Sequence, residues 1–348
     1  MDGPDWQLAG RPGVGLTDEA EAALARGVDN DPFMSLPWLR LDRGDRLGCL
    51  RNGKTWVPFA SLAPGWMVLG GYINSEVSTV GVGPGSELAA AIATLPAALT
   101  RFGFHALSVE LPNSEVTALG LRERFGGEGW TVQTIPGRRS PVVGFPPCSE
   151  RGRFEDHFRA HHVSEFRKLA ASERKLAALG DVEQVRHAGP FPEALVDELA
   201  DVESRSWKRD VGLFNSARRE QAMAAIRAAQ VHLVLTRIDG RPVAWDLDIV
   251  KGRRCFSYNK CFDEAVRKTG VGKLLHFRNL EVAWNAGFAA VNLLGDADDV
   301  KRYLATGSVD RERLIAFAPT LAGRAHRAAF GAYQHVKAWR DRRAGRDA

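Results

Sequence analysis

Asp239-Gly240 narrows the fold more than any other pair of residues in this chain. It lies between two apolar runs, Val231 to Ile238 and Val243 to Val250. A two-residue Asp-Gly connection favours a turn whose twist matches paired strands, so the two runs must form a hairpin. A third strand pattern, Cys255 to Phe262, follows at once. After it come a glycine-bearing turn, a helix pattern from Val271 to Ala286, a strand from Ala290 to Leu294, a helix from about Asp298 to Ala305, and a strand from Leu314 to Phe317. Upstream lie a long charged helix from Phe154 to Leu179 stopped by Gly180, a short strand from Asp181 to Arg186, and helices from Pro192 to about Lys208 and from Ser216 to Ala229. Antiparallel strands followed by a strand–helix–strand passage predict a mixed sheet flanked by helices.

The first half repeats this order in shortened form. Strand patterns from Leu47 to Phe59 flank Asn52-Gly53, and a third precedes Gly70-Gly71. Pro84-Gly85-Ser86 opens an Ala/Leu-rich helix, with Ser86 as its expected N-cap and an end near Gly103. A strand (His105 to Leu111), a helix (Ser114 to Phe125) and a strand (Trp130 to Ile135) complete it. Pro136 to Pro147 is rich in Pro, Gly and Arg and reads as a linker. The expected organisation is a lead-in over 1–29 with one helix (Asp18 to Arg26), a module over 30–140, a linker over 141–150, a second module over 151–320 and a basic segment over 321–348. The fold class is α/β (α+β): two related modules in tandem, each a mixed, mostly antiparallel sheet flanked by helices.

A length of 348 residues suits about two domains. A formal net charge of +5 is too small to imply nucleic-acid binding by itself. Cys49, Cys148, Cys255 and Cys261 form no CxxC pair, so neither a disulfide framework nor a zinc ribbon is indicated. The N-terminus lacks the pattern of a signal peptide. The most apolar segment, Leu88 to Leu99, contains Pro96 and is far shorter than the ~20 residues of a membrane span. The expectation is a cytoplasmic protein without a membrane span.

The sharpest chemical signal is Arg267-Lys268-Thr269-Gly270-Val271-Gly272, followed by Lys273, between a strand and a helix. Glycines allow close approach of the backbone to an anion, and a helix N-terminus favours negative charge. Between Lys251 and Lys273 seven basic residues face only Asp263 and Glu264. The alternative is a surface turn with an ordinary helix start. The pattern is neither a Walker loop nor a dinucleotide fingerprint, because the preceding strands read as antiparallel. On the strand from Ala244 to Ile249, alternation puts Asp246 and Asp248 on one face. Two carboxylates there can act as a general base, or belong to a solvated face. Asp248 is the weaker candidate, being nearer the Lys251-Gly252 turn. Asp296 and Lys301 can orient a substrate or form a surface ion pair. His157, His161 and Glu165 recur every four residues, but neighbouring charges suggest a solvated face, and no metal is expected. Arg324 to Arg346 holds seven basic residues with Phe330, Tyr333, Val336 and Trp339 interspersed. Such a helix can touch a membrane, RNA or an acidic partner, or pack its aromatic stripe on its own domain, which is the favoured reading.

The Arg267–Gly272 pattern resembles the phosphate loop of the Gcn5-related N-acyltransferase (GNAT) superfamily, in which [RQ]xxGx[GA] binds the pyrophosphate of acyl-coenzyme A. The wider chain resembles the tandem-module acetyltransferases of the cellulose-biosynthesis (CelD/BcsL) type. The residues that carry this are Pro32-Phe33 and Trp38-Leu39, Arg167-Lys168, Arg174-Lys175-Leu176, Gly240 to Ala244, Phe262-Asp263, Leu294-Gly295-Asp296 and Lys301-Arg302-Tyr303. Asn292 stands where that family usually has Asp, and Lys268-Thr269-Gly270 replaces its Ser-Pro-Gly. The resemblance implies acyl-CoA or acetyl-CoA as donor substrate, bound by Arg267, Lys268, Thr269, Gly270, Val271, Gly272 and Lys273. It also implies an amine acceptor, small molecule, glycan or peptide. Asp246 or Asp248 would take the proton. Tyr303, four residues before Gly307 as in the superfamily's Tyr-x-x-x-Gly, would protonate the leaving thiolate; an amphipathic tyrosine covering the core is the alternative. The glycine turn from Gly81 to Gly85 has no preceding basic residue, so the first module is expected to shape the acceptor cleft. The same tandem fold resembles Fem-type aminoacyl transferases, which would make aminoacyl-tRNA the donor. A third possibility is a non-catalytic module whose loop holds an anion.

Overall fold

The computed structural model describes residues 5–26, 31–69, 80–295 and 299–344. In chain order the elements begin with β1 (Gln7–Arg11), β2 (Gly15–Leu16) and α1 (Asp18–Arg26), then α2 (Leu36–Arg43). Strands β3 (Leu47–Asn52), β4 (Thr55–Ala63) and β5 (Trp66–Leu69) precede α3 (Gly85–Arg101) and β6 (Ala106–Pro112). Helices α4 (Asn113–Leu119) and α5 (Leu121–Gly127) lead to β7 (Thr131–Gly144). Next come α6 (Phe154–His161), α7 (Val163–Ala177), β8 (Val182–Pro190), α8 (Val196–Ser204) and α9 (Arg219–Arg227). Strands β9 (Gln230–Ile238), β10 (Arg241–Lys251) and β11 (Arg254–Phe262) precede α10 (Val271–Asn285) and β12 (Ala290–Asn292). The chain closes with α11 (Asp299–Leu304), β13 (Gly307–Phe317) and α12 (Leu321–Ala344).

Two compact units result. One comprises the described parts of Met1–Gly27, Asp42–Arg138 and Asp310–Ala348; the other, those of Val28–Leu41 and Arg139–Val309. In the first unit the strand order is β2-β1-β3-β4-β5-β6-β13. Strands β5 and β6 are parallel and the other pairs antiparallel. Helix α3 bridges the parallel pair and buries Leu88, Ile92, Leu95 and Leu99 among Leu50, Val57, Phe59, Met67, Leu107 and Val109.

In the second unit the last residues of β7 pair with β12, and the order continues β11-β10-β9-β8. Only β11 and β12 are parallel, bridged by α10. One sheet face carries α6, α7 and α10, with Leu274, Leu275, Phe277 and Leu280 packed on Val234, Ala244 and Val250. On the other face Trp245 donates from Nε1 to the Leu199 carbonyl on α8 (3.0 Å) and meets Phe214 edge-on. Phe33 and Trp38 pack there against Phe256 and Tyr258.

Several expectations need correction. Residues 7–16 form two strands. Pro84, not Ser86, stands at the N-cap of α3. The helix expected over 114–125 breaks at Gly120 (φ +58°), and the helix expected over 154–179 breaks at His162 (φ −134°, ψ 52°). No proline marks either break, so periodicity alone runs through them. The supposed linker is largely strand: β7 continues to Gly144. Proline removes a donor but keeps its acceptor, and the Pro141 carbonyl accepts from Leu293 N (2.9 Å). The contiguous modules expected at 30–140 and 151–320 differ from the compact units by two segments. The segment around Phe33 and Trp38 packs with the second unit, and β13 from Asp310 on pairs in the first. Long-range packing of aromatic residues and strand pairing decide this, and neither leaves a local sequence mark.

Candidate active site

After β11, Asp263 accepts from Ala265 N (2.8 Å) and so caps a 3-10 turn over Glu264–Thr269. Its other oxygen accepts from Arg205 Nε (2.6 Å), which fixes the turn to the end of α8. Burial opposes ionisation of Asp263, but these hydrogen bonds and the Arg205 charge hold its pKa below the usual carboxylate range. Thr269 donates to the Val266 carbonyl (2.6 Å) and accepts from Val271 N (3.3 Å), joining the turn to α10. Gly270, at φ +84°, makes the reversal into the helix.

The expected phosphate loop therefore divides into two roles. Arg267, Lys268 and Lys273 are exposed. Thr269 and Val271 are buried and hold the turn together. The glycines face protein atoms: a Cβ on Gly270 would stand 2.5 Å from Ser172 Oγ, and one on Gly272 would stand 2.9 Å from the Phe262 ring. Close packing inside the chain thus accounts for both glycines, which corrects the expectation that their missing side chains make room for an anion. What remains for an anion is charge and helix end, since α10 carries no acidic residue in its first turn.

Beside this turn lies a cavity of about 470 Å³, lined by Phe158, Glu165, Leu169, Lys273, Phe277, Tyr303 and Leu304. Lys273 from the loop and Tyr303 from α11 thus meet at one opening. Glu165 sits between two cations, bonded to Lys168 and 3.4 Å from Lys273 Nζ. Burial would raise its pKa, but the two lysines hold it below the usual range. The Tyr303 ring lies 5.3 Å from that of His162, at the break between α6 and α7. Lys301 turns the other way and donates to the Leu294 carbonyl, bracing a residue at φ +47°. Asp296 lies outside the described residues.

Asp246 and Asp248 do share a face, but it is the face under α10, and both are sealed: 0 % and 1 % exposed. Neither can touch an amine in this conformation. His276 Nδ1 lies 3.0 Å from Asp246 Oδ2. Burial alone would raise the pKa of Asp246; His276, with Lys260 and Asn279, brings it below the ordinary value. Asp248 goes the opposite way, pushed well up by burial and by the Asp246 charge. Asp248, the weaker candidate from its place near the Lys251-Gly252 turn, is thus as buried as Asp246 and is the one pushed toward its neutral form. Cys255 donates to Asp248 Oδ2 (3.5 Å), and its pKa too is raised by burial. His232, Asp248 and Cys255 offer ligand atoms within 4.8 Å of one another. Burial pushes His232 down to about 4 and pushes Asp248 and Cys255 up, so it favours the neutral form of each. The stripe of His157, His161 and Glu165 is broken up: the two imidazoles lie 4.3 Å apart with His157 on Trp284, while Glu165 turns to its lysines.

Strands β11 and β12 pair only at Cys255–Val291 and Phe256–Asn292, and β11 then runs on to Phe262. At this divergence Lys208 donates to Asn259 Oδ1, and burial lowers its pKa. The neighbouring Trp207 ring lies 4.4 Å from Phe262, the ring that covers Gly272. Sequence reasoning missed Lys208, His276 and His162. Lys208 follows a helix in an unremarkable Ser-Trp-Lys, and His276 lies inside a helix without a motif, so only packing reveals them.

Residues 164–302 match the family model for an acetyltransferase (GNAT) domain, and lie wholly within the second unit. No curated protein matches the chain in sequence. Among solved structures it is similar to L-PGS from Bacillus licheniformis, at 12 % identity and TM-score 0.58, over 88 % of this chain and 92 % of that one. It is equally similar to the C-terminal DUF2156 domain of a provisionally named lysylphosphatidylglycerol synthetase from Agrobacterium fabrum (11 %, TM-score 0.58, 90 % and 94 %). FemX follows at 10 % identity and TM-score 0.55, over 86 % and 95 %. At these identities the likeness is one of fold. The turn and the helix α10, with Glu165, Leu169, Lys273 and Phe277 of the cavity wall, accordingly belong to a GNAT-type acetyltransferase domain, set in a chain whose fold is similar to that of L-PGS and FemX.

Proposed function

We propose that this chain is an N-acyltransferase that passes an acyl group, acetyl in the simplest case, from acyl-CoA to an amine on a small molecule, glycan or peptide. The observation that carries this reading is the single cavity lined by both Lys273 and Tyr303. The exposed cations Arg267, Lys268 and Lys273, at a helix end free of acidic residues, suit the diphosphate of the donor. The amine nitrogen bonds to the acyl carbon, the carbon–sulfur bond breaks, and the thiolate takes a proton from Tyr303. We assign the proton released by the amine to Lys208, whose burial favours the neutral amine needed in a base, in place of the sealed Asp246 and Asp248. Asp246 then acts through His276 to fix α10 on the sheet. The resemblance to the cellulose-biosynthesis type belongs to this proposal.

A second reading has a specific observation behind it. Glu165 presents a carboxylate to the cavity, which suits a donor bearing a free ammonium, as an aminoacyl group does. With the Fem-type resemblance this points to aminoacyl-tRNA. Transfer to an amine panel, measured with acetyl-CoA, longer acyl-CoAs and aminoacyl-tRNA in parallel, decides between the donors. Tyr303→Phe and Lys208→Met should each lower turnover by about 10²-fold or more with the true donor. Turnover unchanged in both variants would remove them from the mechanism. Binding of CoA without turnover on any amine would leave the anion-binding module.

A further inference from the structure

Helix α12 is 24 residues long, about 36 Å at 1.5 Å per residue. Helices of this kind in folded proteins draw their stability from burying an apolar face. Among its described residues only Gly323 is buried. His326 and Phe330 rest on Trp66, Phe330 also meets Phe317, and Arg327 bonds to Thr131, so the first half is held to the first unit. Beyond Gln334 each residue with a described side chain is exposed. Tyr333 (60 %), Val336 (57 %) and Trp339 (49 %) lie open, which corrects the expectation that the whole aromatic stripe packs on its own domain. Tyr333, Val336, Arg340 and Arg343 succeed one another at three- and four-residue steps and so share one face, with Lys337 and Trp339 at its borders. The Arg343 guanidinium lies 4.0 Å from the centre of the Trp339 ring.

The charge says what can cover this face. From Leu321 to Ala344 there are six Arg or Lys and one Asp, a net charge as large as that of the entire chain. A second copy of α12 would meet it with the same charge. A nucleic acid would use the cations but gains nothing from an open valine, and aliphatic burial is what an RNA surface does not offer. An anionic lipid surface uses both kinds of group. Trp and Tyr settle at the headgroup level, Val enters the acyl boundary, and Lys and Arg reach lipid phosphates on either side.

We propose that the C-terminal half of α12, from Tyr333 to Arg343, is a docking face for anionic phospholipid, laying the helix in the membrane interface without crossing it. No helix among the described residues is long and apolar enough to span a bilayer. The inference stands on α12 alone and is independent of the donor of the acyl group.

The test is co-sedimentation of the full chain with phosphatidylcholine vesicles, with and without about one part in three phosphatidylglycerol, at low and high salt. Binding is expected only with the anionic lipid and should weaken with salt. The variant K337E/R340E/R343E should bind at least about tenfold more weakly, and V336S/W339S should also lose affinity. Hydrogen exchange of wild-type α12 supplies a readout free of variants: the amides of 331–344 should slow when anionic vesicles are added. Absence of binding at low salt, or undiminished binding by the charge-reversed variant, overturns the proposal. Binding of tRNA through these same residues without vesicle binding overturns it in favour of RNA. Self-association that needs Val336 and Trp339 overturns it in favour of a second copy.

Discussion

The two units place the same succession of elements around a parallel strand pair, yet the helix that bridges the pair begins and sits differently in each. In the first unit α3 follows a glycine turn that is closed on itself. Val82 exchanges both backbone hydrogen bonds with Trp56 (2.7 and 2.8 Å), and a Cβ on Gly81 would stand 2.6 Å from the Trp56 carbonyl oxygen. Its first turn carries Glu87, and it covers an apolar sheet. In the second unit α10 follows a turn ringed by Arg267, Lys268 and Lys273, and it covers Asp246 and Asp248, with its own His276 set against Asp246. Glycine before a helix therefore says little about anion binding. The cations and the residues beneath the helix make the difference.

The largest expected break between the units is in acid. His232 is held neutral in the fold, with its pKa at about 4 instead of 6.5. The folded state thus refuses a proton that the unfolded chain takes. The stability this group contributes is present above pH 6.5 and is lost as pH falls toward 4, by up to about 3 kcal/mol. Hydrogen exchange should show β9 and β10 loosening in this window before β4 and β6, and His232→Gln should remove the difference. Simultaneous loosening of both units would contradict it.

Next comes the ring of cations. The variant R267A/K268A/K273A should lower donor affinity by about 10²-fold, roughly 2.7 kcal/mol, by calorimetry. The variant Glu87→Lys should leave it unchanged. Equal affinity in the triple variant and wild type would dissolve the distinction between the two turns.

The glycines give a smaller effect with the opposite assignment. Gly81→Ala strikes rigid backbone and should cost about 1–3 kcal/mol in denaturant unfolding. Gly272→Ala meets a ring that can shift, and should cost less than about 1 kcal/mol and leave donor affinity near wild type. A selective loss of affinity in Gly272→Ala would restore the open-cradle reading.

The last difference concerns Asp248. Its raised pKa means the folded state keeps a proton that the unfolded chain releases, so its contribution is fullest in acid and is lost as pH rises through the folded value. The stability of Asp248→Asn relative to wild type should therefore grow as pH rises above the ordinary aspartate range. A constant difference would place the charge elsewhere.

Much of the architecture was written locally. Asn52-Gly53 and Asp239-Gly240 each turn a hairpin, and Gly270 starts α10 where the strand–turn–helix pattern put it. The site was legible only in part. Arg267, Lys268, Lys273 and Tyr303 come from short-range patterns; Lys273 and Tyr303 meet at one cavity, and Arg267 and Lys268 are exposed on the turn before α10. The burial of Asp246 and Asp248 was not legible, because alternation assigns residues to a face without saying what covers that face.

The sequence by itself determined the strands and the bridging helix around each parallel pair, the hairpin turns and the basic lip before α10, because each depends on residues within a few positions of one another. Only the tertiary structure decided that Phe33 and Trp38 pack on β11, that Glu165 reaches Lys273, and that the polar face of β10 lies under His276. Those contacts join residues far apart in the chain. Which partner a buried charge finds depends on how helices settle on a sheet, a balance of packing and desolvation summed over the whole unit.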